Sequence, residues 1–192
     1  MTVSSILLIL AALILLSWGV GAYQRLMRQR RQCRALLEPL VPLLAHRHEP
    51  VVPLVETARA FLKEDRQLLE ETVTALNAAI AATAALPRAP LDAVVVERAG
   101  AAEETLGGKL AALEAALHSV TPGTPTLDPQ LQRLLDDLAA TEESIAVART
   151  VYNHAAGVYN TARAQFPGVI VAVVFAFRPV GLLRAASSRR PA

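Results

Sequence analysis

The sequence predicts an all-α protein: an N-terminal transmembrane helix followed by an elongated antiparallel four-helix bundle. Three observations carry this reading. From Ser5 to Tyr23 no side chain is charged, and Arg25, Arg28, Arg30, Arg31 and Arg34 follow at once. Beyond them, apolar residues recur at spacings of three, four and seven over long segments, as they do on helix faces turned to a shared core. Proline and glycine punctuate those segments at Pro87, Pro90, Pro122-Gly123 and Pro167-Gly168, where turns are expected.

The uncharged run, residues 5–23, is the membrane span. Crossing a bilayer core of ~30 Å takes about 20 apolar residues in a helix rising ~1.5 Å each. Trp18 and Tyr23 lie near its C-terminal end, where amphipathic aromatics favour the headgroup level. The arginine cluster marks that end as cytoplasmic, leaving residues 1–4 outside the membrane and the bulk of the chain inside. A cleaved signal peptide is the competing reading, with Val20-Gly21-Ala22 as the cleavage site. The missing positive charge before the run and the arginine flank after it favour an uncleaved anchor.

Composition sets further bounds. The formal net charge is +2, and arginine crowds both membrane-facing ends. This suits attraction to anionic lipid heads, at ~1 kcal/mol per basic residue. It does not suit nucleic acid, which needs a basic stripe interleaved with stacking aromatics. Arg25, Arg28, Arg30, Arg31, Arg178 and Arg184 are the candidate headgroup contacts. Cys33 is the single cysteine, so no internal disulfide can form, and a plain thiol is favoured over an acylated one.

Residues 24–167 form the bundle. The first helix continues from the anchor over 24–48, kinked or interrupted by Pro39 and Pro42. The second spans 51–86, with an apolar stripe of Val55, Ala58, Leu62, Leu69, Val73, Leu76 and Ile80. The third covers 91–120, with Leu106, Leu110, Leu113, Leu117 and Val120 on one face and a bend expected at Gly107-Gly108. Thr121 to Thr126 reads as a loop, and Asp128-Pro129 as an N-cap with proline at the first helical position. The fourth helix then runs to about Phe166. Leu131, Leu138, Ile145, Tyr152, Tyr159 and Phe166 recur every seven residues, beside a smaller row of Leu134, Thr141, Ala148, Ala155 and Ala162. A sustained heptad favours near-parallel packing. At ~1.5 Å per residue this helix is ~55 Å long, so the domain is expected to be a rod.

Residues 168–183 form an apolar segment that an antiparallel bundle returns to the membrane. The run from Gly168 to Phe177 is too short to span. It is either a cap over the bundle end or an interfacial segment with Arg178 and Arg184 on phosphates. The tail, residues 184–192, reads as disordered.

The sequence offers little catalytic apparatus. His46-Arg47-His48-Glu49 is the only histidine cluster; imidazoles two apart on a helix diverge, so it reads as a solvated turn beside Pro50 rather than a metal site. Glu70-Glu71, Glu103-Glu104, Asp136-Asp137 and Glu142-Glu143 are adjacent carboxylates that point apart on a helix. Asp136 and Glu143, with Arg133 and Arg149 nearby, read as a solvated salt-bridged surface. Lys109 follows glycine but lacks the rest of a phosphate loop. The repeat of Tyr152-Asn153 at Tyr159-Asn160 fits packing and partner register, since a buried asparagine on a helix seam can select one alignment. No cofactor or metal site is expected.

At these residues the chain resembles the bacterial LemA family. Thr141-Glu142-Glu143-Ser144-Ile145-Ala146-Val147-Ala148-Arg149, then Tyr152-Asn153, Tyr159-Asn160 and Phe166-Pro167, are similar to its C-terminal motif, as Phe175-Ala176-Phe177 is to the aromatic pair after it. Leu54-Val55-Glu56-Thr57 resembles a weaker N-terminal motif. The chain departs from the pattern at Leu37, Val52, Pro53, Pro39 and Pro42, and in Val180-Gly181-Leu182-Leu183 after Arg178-Pro179. The resemblance implies a single-pass bacterial plasma-membrane protein, N-terminus out and C-terminus in, with a long helical bundle and no established enzymatic activity. It also implies family-level links to membrane remodelling and to membrane peptidases. The expected role is an interaction or scaffold module with membrane lipids and a membrane or cytoplasmic protein as partners, self-association left open. Glu142, Arg149, Tyr152, Asn153, Tyr159 and Asn160 would set packing and partner register. A membrane-remodelling protein whose segment 168–183 enters the lipid is the alternative.

Overall fold

The computed structural model describes residues 3–62, 65–120 and 129–183. The expected loop at Thr121–Thr126, the Asp128 cap, Arg184 and the tail 184–192 lie outside the described residues, as do Met1 and Thr2 of the expected N-terminal segment. The described chain is helical, with no strand: α1 (Val3–Leu37), α2 (Leu40–His48), α3 (Val51–Ala58), α4 (Arg66–Thr83), α5 (Ala93–Val120), α6 (Pro129–Ala164) and α7 (Gly168–Val174).

Prolines account for the first two interruptions. Pro39 and Pro50 stand at the N-caps of α2 and α3. Pro42 and Pro53 fall within the first turns of the same helices, where the backbone N–H that proline lacks would have no acceptor in the helix anyway. The chain therefore bends twice without reversing, and α1, α2 and α3 follow one another along α6. The expected continuous helix over 51–86 is corrected here. It breaks after Ala58, and a separate helix, α4, starts at Arg66 and packs against α2, α3 and α5. The break resets the helical phase. The buried face of α4 is Leu69, Thr72, Leu76, Ala79 and Thr83, and Ile80, expected in the stripe, is 45% exposed. No break occurs at Gly107-Gly108, through which α5 runs uninterrupted.

The buried apolar side chains form two clusters. One contains Leu26, Cys33, Leu37, Leu40, Leu44, Val96, Ile145, Tyr152 and Tyr159. The other contains Val51, Leu54, Val55, Leu69, Leu76, Leu106, Leu113, Leu117, Leu131 and Leu138. The heptad of α6 thus feeds both, Leu131 and Leu138 into the second and Ile145, Tyr152 and Tyr159 into the first. Phe166 alone leaves the seam and stands largely exposed beside Trp18. Burial pushes the Cys33 thiol up, which keeps it protonated and unreactive.

The N-terminal part of α1 projects beyond this core. Leu10, Leu13, Ile14, Leu15 and Leu16 are all more than half exposed, whereas Leu26 and Leu37 on the same helix are buried. By length and composition, α1 is the one helix among the described residues apolar enough to cross a membrane.

Candidate functional site

Three polar or aromatic constellations stand out against this apolar framework. The first lies where the two clusters meet. Arg47 of α2 is 1% exposed and Glu103 of α5 is 3% exposed. Arg47 Nη1 donates to Glu103 Oε2 at 2.7 Å, and its Nη2 pairs with Glu142 of α6. Glu103 Oε1 accepts from His48 Nε2 at 2.8 Å and from Thr83 Oγ1 of α4 at 2.9 Å. Side chains of α2 and α4 therefore meet on the α5 carboxylate, and α6 joins the network through Glu142 on Arg47. Burial pushes the Glu103 carboxyl up, but the hydrogen bond and charge of His48, the charge of Arg47 and the Thr83 hydroxyl outweigh it and hold the carboxyl below its ordinary value. Arg149, also buried, adds a second guanidinium that feels the charges of Glu142, Glu103 and Glu104.

This corrects two expectations. Half of the expected solvated turn is indeed at the surface, where His46 pairs with Glu49. Arg47 and His48 point the other way, into the core. The expected solvated surface of Asp136, Glu143, Arg133 and Arg149 loses Arg149, which the turn of the helix carries inward toward Glu142 and Arg47. Glu103 was expected only as half of a diverging carboxylate pair and Thr83 was not singled out, although a signal existed. Both interrupt apolar stripes, Glu103 between Ala99 and Leu106 and Thr83 between Ala79 and Leu86.

The second constellation is a ladder along α6. After α7 the chain turns at Ala176, whose φ of 51° is left-handed. The Phe177 N–H returns to Ala172 O at 2.9 Å and the Ala176 N–H to Val173 O at 3.4 Å, which closes the helix as a Schellman turn. Residues 177–183 then run along α6 without helical structure. Asn160 Nδ2 donates to Val180 O at 2.8 Å, while its Oδ1 accepts from Val180 N at 2.9 Å. Asn153 does the same for Leu183, at 2.6 and 2.9 Å. The Tyr159 hydroxyl donates to Arg178 O and the Tyr152 hydroxyl to Gly181 O, both at 2.9 Å. Arg163 adds a longer bond to Phe177 O.

The repeat length explains the fit. Seven residues of helix advance ~10.5 Å, and three residues of extended chain cover about 10 Å. Asparagines seven apart on α6 thus meet backbone amides three apart on the strap. Each asparagine satisfies both the N–H and the C=O of one residue, replacing the partner strand that the segment lacks. Burial pushes both phenols up, so they remain neutral donors. Phe177, Val180 and Leu183 are buried beneath the strap. Gly181 passes close to the start of α5: a Cβ there would lie 2.7 Å from Ala93 O. The Tyr-Asn pairs therefore grip the chain's own C-terminal segment; of Glu142 and Arg149, grouped with them from sequence, both belong to the charged layer.

The third constellation is the corner where α1, α6 and α7 meet. Trp18 packs edge-on against Phe166 at 4.7 Å, and Tyr23 packs on Phe175 at 4.8 Å and Phe177 at 5.7 Å. Arg30 sits over the Phe177 ring at 5.9 Å. Residues Val171 and Ala172 of α7 face the core, while Ile170, Val173, Val174 and Phe175 are more than half exposed.

The LemA family model matches residues 41–192, which includes the charged layer, the ladder and the strap and omits α1. The chain belongs to the LemA family. No curated protein matches it. Among the described residues of this LemA-family protein, no group of histidine, cysteine and carboxylate side chains could hold a metal ion. His118 and His154 are exposed, His118 near Glu114 on its own helix.

Proposed function

We propose that this LemA-family protein is a membrane-anchored, non-catalytic interaction module. In this reading α1–α3 act as the first rod of an antiparallel four-helix bundle held at the cytoplasmic face of a bacterial plasma membrane. One observation carries it: α1 is bare at Leu7, Ile9, Leu10, Leu13, Ile14, Leu15 and Leu16, yet deeply buried in the helical core at Leu26, Cys33 and Leu37. A single rigid helix thus serves two solvents, and the bundle is held upright rather than tethered by a flexible linker. Arg25 and Arg28 follow Tyr23 at the level of lipid headgroups, in agreement with the positive-inside bias.

The catalytic alternative has less support, because the polar groups converge on one another in close-packed layers rather than on a cleft. The partner class is a membrane or cytoplasmic protein. Crosslinking in native membranes followed by affinity purification tests this: a protein enriched over an α1-only control is expected, and none would undo the scaffold reading. A cytoplasmic reporter fused after Ala192 is expected to be active, and inactivity would reverse the orientation.

The second reading, insertion of the segment 168–183 into the lipid interface, draws on the exposed apolar side of α7. It predicts that Val173→Asp weakens association of the full chain with bilayers in a flotation assay after α1 insertion is blocked; unchanged flotation would remove it.

A further inference from the structure

A second cleft near the ladder has a composition that neither the packing nor the anchor uses. It measures about 870 Å³ and is bounded by α1, the start of α5 and the strap. Arg30, Arg31 and Arg34 project into it from α1, and Arg178 from the strap. All four are exposed, and among the described residues none is in an ion pair. The carboxylate at its rim, Asp92, is occupied: its Oδ1 accepts from the N–H groups of Val94 and Val95 as the cap of α5. Four guanidinium groups therefore share the cleft with a single carboxylate that is held by the end of α5, leaving a clear excess of positive charge in one concave site.

We propose that this cleft binds a ligand carrying two or more clustered phosphate groups. Like charges gathered in one concave site repel unless an anion joins them, and guanidinium groups match phosphate oxygens in bidentate geometry. The arginines are also prearranged. The Arg30 guanidinium is stacked over Phe177, and the backbone that carries Arg178 is anchored by Tyr159, whose hydroxyl donates to the Arg178 carbonyl. The strap gripped by the Tyr-Asn ladder thus forms one wall of the site.

The height of the cleft separates it from ordinary headgroup contacts. This step rests on the reading of α1 as the membrane span. Arg30 lies about 10 Å and Arg34 about 16 Å along the helix beyond Tyr23, at ~1.5 Å per residue. The headgroup layer is only about 5–7 Å deep on each side. Arg25 and Arg28 meet lipid phosphates in that layer, whereas the cleft receives phosphates that stand clear of it. Such groups belong either to a polyphosphorylated lipid head or to a soluble polyphosphate; the shared chemistry is clustered phosphate.

The test uses the full chain in detergent micelles and in nanodiscs. Inorganic tripolyphosphate is titrated by calorimetry in micelles and in phosphatidylcholine discs. The melting midpoint is then compared in discs with and without phosphatidylinositol bisphosphate. The variants are the double substitution Arg31→Gln with Arg34→Gln, and Arg25→Gln with Arg28→Gln as a charge-matched control. Saturable tripolyphosphate binding is expected, weakened at least about tenfold by the cleft pair and by no more than about twofold by the control. A melting shift confined to the bisphosphate discs, and lost in the cleft pair alone, supports the lipid source. Saturation by tripolyphosphate with no melting shift in the bisphosphate discs supports the soluble one. Equal losses in both doubles, or no saturable response in either arm, overturns the proposal. The micelle titration does not depend on α1 spanning a bilayer, so a failed anchor would show as failure to enter discs while the cleft is still tested.

Discussion

The charged layer between α2, α4, α5 and α6 and the ladder along the C-terminal half of α6 both secure α6, by opposite means. In the layer, Arg47, His48, Glu103 and Glu142 meet side chain to side chain, with buried Arg149 within reach of their charges, and the network draws on α2, α5 and α6. In the ladder, uncharged Tyr152, Asn153, Tyr159 and Asn160 all reach backbone atoms of one strap. The layer selects a register, because sliding any helix by a turn would leave a buried charge alone. The ladder selects a conformation, because its bonds demand an extended chain but no particular side chain at the gripped residues. One is therefore vulnerable to loss of a partner and to protonation, the other to loss of shape.

The sharpest way to break the contrast is to remove the centre of the layer. Glu103→Ala leaves Arg47 buried with only Glu142 on its far nitrogen, and a loss of about 3–5 kcal/mol is expected in denaturant unfolding. A loss under ~1 kcal/mol would mean that the layer is not close-packed. Asn153→Ala removes two hydrogen bonds to Leu183 and should cost about 2 kcal/mol. Its distinguishing mark is local: amide exchange should accelerate in the strap and remain unchanged in α4 and α5. Equal acceleration everywhere would show that the strap is part of the global unfolding unit.

Acidification sharpens the comparison further. Glu103 is held below its ordinary value of 4.5. Its contribution is therefore fully present above that value and is lost as pH falls through the lower, folded one. The stability gap between the wild type and Glu103→Gln should narrow over that window, while the gap to Asn153→Ala stays level, since neither asparagine nor the raised phenols titrate there. A constant gap for Glu103→Gln would place the relevant proton elsewhere. The smallest effect is expected at Ala176, whose left-handed φ favours glycine: Ala176→Gly should stabilise by less than about 1 kcal/mol, and destabilisation would contradict the turn.

The heptad of α6 was legible because it never breaks: five of its six large residues are buried where the spacing put them. The proline-marked ends of α1 and α2 were legible for the same local reason. The break between α3 and α4 was not, since Arg59-Ala60-Phe61-Leu62 carries no glycine or proline and the end of α3 is set by what α3 and α4 pack against. The charged layer was legible only in part. Arg47 and His48 lie between two exposed partners, His46 and Glu49, so local pattern described the neighbours correctly and the pair wrongly. The function of Tyr152-Asn153 and Tyr159-Asn160 depended on a segment more than 15 residues away in sequence, and only the match between helical and extended rise connects the two.

The ladder matters to the proposed membrane reading because it fastens the strap along α6, beside the aromatic corner whose height in a bilayer that reading fixes. Trp18, the single tryptophan, reports that height. In bilayers of the full chain, its fluorescence should be quenched by phospholipids spin-labelled near the headgroup and little affected by aqueous iodide. Strong iodide quenching with no response to labelled lipid would contradict a membrane-planted rod.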